Sequence, residues 1–158
     1  MKEIFLQIKS LFAGKWEGQG FAKFPTIDDT WYTEKLEFIP DEFKDALFFQ
    51  QKTLYKNDTP KNGQTVFWDT GFIILKEDKI VLHSTQVGGR IETYELVDTK
   101  QGTFAFNNTA ILVDPKAIRS QRIFTVNDDS LHYELNMATH AAPDFQNHLS
   151  ADLKKVKS

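Results

Sequence analysis

The 158-residue chain contains no cysteine. Disulfides, thiol nucleophiles and cysteine-ligated metals are therefore excluded together. A cysteine-free chain suits a reducing compartment, and a cytoplasmic location is expected. A strong charge of one sign is also lacking: 19 basic residues face 22 acidic ones, for a net charge of -3. Nucleic acid and anionic lipid both favour a basic patch, so neither is expected as a partner. Long apolar runs are missing. The first twelve residues carry Glu3, Gln7 and Lys9 among their apolar positions, which fits neither a signal peptide nor a membrane span. None of the four histidines lies in an H-x-x-x-H or H-E-x-x-H arrangement, so a helical zinc site is not indicated. There is no Ser-His-Asp spacing. The Gly18-Gln19-Gly20 stretch does not open a helix, so it is no dinucleotide fingerprint.

Aromatic residues are abundant, with 14 phenylalanines. They either fill a core or line a site for a flat apolar ligand. At the N-terminus Ile4, Phe5, Ile8, Leu11 and Phe12 follow helical spacing. Short runs with period two follow, over 15–24, 31–39, 46–55, 65–75, 79–86, 90–97, 102–107, 109–114, 120–126, 130–138 and 148–156. Turn residues separate them: Asp28-Asp29, Asn57 to Gly63, Glu77-Asp78, Gly88-Gly89, Asp98 to Gly102, Asn107-Asn108 and Asn127 to Asp129. Many short strands joined by tight turns predict an all-β sandwich or barrel, in one domain over 1–158. No strand–helix–strand rhythm supports a parallel sheet. The single helix suits a plug over one open end of a barrel.

The stretch G14-K-W-E-G-Q-G-F-A-K-F-P-T-I27 places three glycines around Trp16. Glycine weakens a strand unless the chain must bend or another group must approach its backbone. Curvature at Gly18 and Gly20, with Trp16 filling the closed end beneath the helix, is the expected structural role. Glu34, sharing a face with Tyr32, Leu36 and Phe38, and Asp69, between Trp68 and Gly71, are candidates for burial with a partner. His132 faces outward with Glu134 by alternation. His148 enters the last strand. Alternation groups it with Ser150 and Asp152, away from Leu149, Ala151 and Leu153, yet a strand's first residue at a barrel mouth could face inward.

Four blocks in order resemble the nitrobindin family of fatty-acid-binding-protein-like haem β-barrels, across nearly the whole chain. They are G14 to I27 followed by Y32-T-E-K-L-E-F38, then W68-D-T-G-F72, then M137-A, then H148-L-S-A-D-L153. The resemblance implies an antiparallel up-and-down barrel of about ten strands, lipocalin-like, capped by a short helix. It implies haem b in a site near one mouth, with His148 as the ligand to ferric iron. Thr26, Ile27, Thr30, Phe67 and Met137 are implied as cofactor-binding residues. Nitric oxide binding and isomerisation of peroxynitrite to nitrate are the activities it implies.

The chain departs from the family pattern at two of these places. Thr30 stands where an aromatic usually faces the haem, and Phe67 stands where a distal histidine is common. The second change leaves a drier site without a distal donor. Besides the haem reading, the same barrel would suit a fatty acid or other apolar molecule without metal. A third reading is a barrel whose phenylalanines simply fill it. A small-molecule ligand is the partner expected, and an exposed last strand could mediate a homodimer.

Overall fold

The computed structural model of the chain describes residues 1–24, 27–114 and 117–157. One helix, α1 (Lys2–Phe12), precedes ten strands: β1 (Gly14–Ala22), β2 (Thr30–Pro40), β3 (Ala46–Tyr55), β4 (Thr65–Lys76), β5 (Lys79–Gln86), β6 (Ile91–Lys100), β7 (Thr103–Leu112), β8 (Ala117–Asn127), β9 (Ser130–Thr139) and β10 (Gln146–Lys155). Each strand pairs antiparallel with its chain neighbours, and β1 pairs with β10 to close the barrel. The expected all-β up-and-down barrel with its capping helix is what the chain forms. Closure also gives both edges of β10 a partner, β1 and β9. Only the outward face of that strand, not an edge, is left for a second copy of the chain.

The helix closes one end. Phe5, Ile8 and Phe12 are fully buried, as their spacing predicts. Beneath them Trp16 donates its indole N–H to the Phe12 carbonyl at 2.8 Å, which ties the helix end to the barrel floor. Phe12 packs against Phe38, Phe104 and Phe124 with ring centroids 5.0–5.4 Å apart. About half of the phenylalanine content is thus a plugged floor. The glycines serve close approach. A Cβ at Gly18 would lie 2.0 Å from the Asp152 carbonyl oxygen, and one at Gly20 would lie 2.3 Å from that of Ser150. Only hydrogen fits where β1 is drawn against β10.

One turn reading is corrected. Asn107-Asn108 is no turn, and 102–107 and 109–114 are not two strands. A single β7 runs through both asparagines, with a register shift against β6 between Thr93 and Tyr94. The Asn108 side chain accepts the Ser120 N–H at 2.6 Å, so a turn-forming residue here caps a bulge inside the sheet. True turns occur at Glu77-Asp78 and at Gln101-Gly102, where both residues have positive φ.

Candidate functional site

Chain direction places the sequence candidates at the barrel end opposite the helix. β1, β3, β5, β7 and β9 finish there, and β2, β4, β6, β8 and β10 start there. His148, Met137, Phe67 and Thr30 lie near those strand ends, and Ile27 lies in the connection between β1 and β2. Thr26 lies outside the described residues.

The position of His148 depends on a bulge. Asn147 pairs with Asn136 and Leu149 pairs with Leu135, which leaves His148 as the extra residue on β10. Strict alternation, which grouped it with Ser150 and Asp152, is broken there. His148 and Leu149 are both buried, His148 to 2 % exposure. A bulge re-aims a side chain in this way. The Lys23 N–H donates to the His148 carbonyl at 2.8 Å and holds the bulged backbone against the end of β1.

The imidazole has aromatic company and no polar partner. Phe24 meets it edge to face, with centroids 5.1 Å apart, and stacks at 6.5 Å on Phe67. Its Nδ1 is buried without a hydrogen-bond partner, and among the described residues no hydrogen bond reaches either ring nitrogen. Burial, and secondarily the positive charge of Arg90, hold its pKa below the usual histidine value. The ring is therefore neutral at pH 7, with a lone pair available. A buried, neutral, unpartnered imidazole beside an aromatic wall fits the single protein ligand that haem iron needs. Among the described residues no three His, Asp or Glu side chains group to hold a bare metal ion. A metal that brings its own ring of ligands suits this donor set better.

The remaining candidates divide. Met137 is buried, and its sulfur lies 3.7 Å from Arg90 Nη2. Ile27 and Thr30 line a different hollow, of about 370 Å³, with Tyr55, Asn57, Thr59 and Pro60. The Thr30 hydroxyl is held there by the Asn57 amide at 3.0 Å. None of His148, Phe67 and Met137 lines that hollow. Trp31, beside Thr30, faces outward and packs on Phe21, as alternation predicts.

Two neighbours of His148 were not singled out from the sequence. By alternation Phe24 is only the last position of the 15–24 run, on the face of Trp16, and it lies just past the end of β1. Arg90 follows the Gly88-Gly89 turn, a place where a charged residue ordinarily meets solvent. Below the mouth lies a polar belt. Asp69 and Glu34 are buried, as expected of them. Asp69 pairs with the fully buried Arg122 and accepts the Ser84 hydroxyl at 2.7 Å. Glu34 accepts the Gln51 amide on one oxygen and has no partner on the other. No pattern signalled Arg122, because an arginine on an inward position reads as a break in the apolar face.

Residues 6–155 match the family described as THAP4-like, heme-binding beta-barrel domain. The chain is 30% identical over 148 residues to peroxynitrite isomerase 1 of Rhodococcus jostii strain RHA1, covering 91% of this chain and 80% of that one. It is 26% identical over 153 residues to peroxynitrite isomerase 2 of Mycobacterium avium strain 104, covering 91% and 90%. The crystal structure of Rv2717c from M. tuberculosis superposes with a TM-score of 0.76 at 24% identity, over 97% of this chain and 98% of that one.

Proposed function

The chain belongs to the THAP4-like, heme-binding beta-barrel family, and on that footing we propose that His148 would hold the iron of a haem b at the barrel mouth. The observation that carries this is the His148 ring: buried, neutral and without a hydrogen-bond partner. Phe24, Phe67 and Met137 supply the apolar wall. The haem iron, when bound, supplies an open coordination position for nitric oxide or a related nitrogen oxide. The relatives named as peroxynitrite isomerases extend the reading to isomerisation of peroxynitrite to nitrate. That conversion rearranges one nitrogen and three oxygens with no net gain or loss of electrons or protons. The chain therefore needs to orient, exclude water and hold charge, and no reductant is required. Phe67 offers no proton and no hydrogen bond, so it excludes solvent from the ligand side without steering the ligand.

The test is a hemin titration of wild type beside His148→Ala, followed at the Soret band. Saturable one-to-one binding that the variant loses supports the reading. Weak uptake that the two share rejects it, and the same barrel is then read as a carrier of a fatty acid or another apolar molecule. Peroxynitrite decay with the loaded protein then tests the isomerase step.

A further inference from the structure

We propose that the outward face of β1–β3, together with Trp68 on β4, is a docking surface for single-stranded nucleic acid. It lies on the barrel wall, apart from the mouth site, and stands whatever that site holds.

The expectation against nucleic acid rests on the net charge of -3, which averages over the whole surface. Strand pairing gathers a local excess of lysine. Lys15, Lys35 and Lys52 point outward from β1, β2 and β3, and Lys23 and Lys56 directly follow β1 and β3. Of the two acids on these outward positions, Glu37 pairs with Lys15 at 3.6 Å, and Glu17 sits opposite Lys35. Lys35 and Lys52 are themselves register partners across β2 and β3. Like charges placed opposite one another destabilise a sheet. Among the described residues no ion pair relieves either lysine. A run of phosphates relieves both.

Flat rings stand among these charges. Trp31 is 54% exposed and Trp68 39%. Phe21 meets the Trp31 ring edge to face at 5.1 Å, which fixes an indole that adds little to the core. Beside Trp31 a hollow of about 260 Å³ is lined by Gln19 and Lys56. The Lys52 ammonium rests over the Trp68 ring at 4.0 Å. Ammonium groups for phosphates and exposed indoles for bases are the two elements of sequence-tolerant single-strand binding. A duplex keeps its base faces stacked inside and has no use for the indoles. An anionic lipid surface would meet the same lysines, but Gln19 and Thr33, register partners beside Trp31, keep the face polar.

The experiment titrates the full chain at low salt with a labelled oligothymidylate of about 20 nucleotides, long enough to track such a face. Anisotropy of the label and tryptophan fluorescence are read together. Saturable binding with quenching of the indoles is expected, and weaker binding of a duplex of the same length. Trp31→Ala and Trp68→Ala are each expected to weaken the oligonucleotide about fivefold or more. The double variant Lys35→Gln, Lys52→Gln is expected to weaken it too, and to flatten the slope of log affinity against log salt by about 1–1.5. All four residues lie on the outer face, so none of these changes opens the core. No saturable binding, or binding that the tryptophan and lysine variants leave unchanged, overturns the proposal. Uptake onto phosphatidylserine vesicles without uptake of the oligonucleotide assigns the face to lipid and overturns it as well.

Discussion

Phe24 meets the His148 ring edge to face at 5.1 Å, where the end of β1 lies against the bulged start of β10. The same two segments are joined by the Lys23 N–H to the His148 carbonyl. The candidate iron ligand is thus placed by backbone pairing and by an aromatic wall, and not by a hydrogen bond to its ring. Such a histidine is positioned without being chemically engaged.

Glu34 makes stability depend on pH. Burial raises its pKa from 4.5 to about 7, against the lowering effect of the Gln51 hydrogen bond. The folded state then binds more protons than the unfolded state between those values. Stability from this group is full below about pH 4.5, falls as pH rises toward 7, and is flat above. The linked change is about 3 kcal/mol. Glu34→Gln, which mimics the protonated form, is expected to remove this share of the dependence. Urea unfolding of both proteins from pH 4.5 to 8 measures it; parallel curves would count against a protonated Glu34.

Gly18 tests the contact between β1 and β10. Its missing Cβ would meet the Asp152 carbonyl oxygen at 2.0 Å, while one at Gly88 would meet nothing within 4 Å. Gly18→Ala is expected to cost about 1–3 kcal/mol by overpacking. Gly88→Ala is expected to stay within about 0.5 kcal/mol of wild type. Denaturant midpoints at constant m-value make the comparison.

Asp69 and Arg122 form a buried pair, so removing one partner strands the other. Asp69→Asn and Arg122→Met are each expected to cost about 3–5 kcal/mol, and the double variant clearly less than their sum. A double-mutant cycle by urea unfolding checks this, and additive losses would show that the two side chains act independently.

Much of the barrel was legible because its signals are local. Period-two burial along β2 and β9, positive-φ turns and a helix with one apolar stripe each need only neighbouring residues. Asn107-Asn108 misled for the same reason: a turn-forming pair was read locally, while β6 and β8 kept it in the sheet. His148 was legible through its resemblance to a family motif and illegible by alternation, since a bulge shifts parity without a residue type that marks it. Arg122 was illegible because its partner Asp69 lies on a distant strand; Arg90 was illegible because it follows a turn, although its partner Glu92 is only two residues away. Thr30 and Phe67 both sit near the mouth; Phe67 stacks on Phe24, and the Thr30 hydroxyl accepts from the Asn57 amide.

The central claim is that iron bonds the His148 imidazole. Resonance Raman spectroscopy of the hemin-loaded, reduced protein reads that bond directly. The account predicts an iron–histidine stretch in wild type, its loss in His148→Gly, and its return when free imidazole is added. A stretch that persists unchanged in His148→Gly would assign the ligand to another residue and contradict the account.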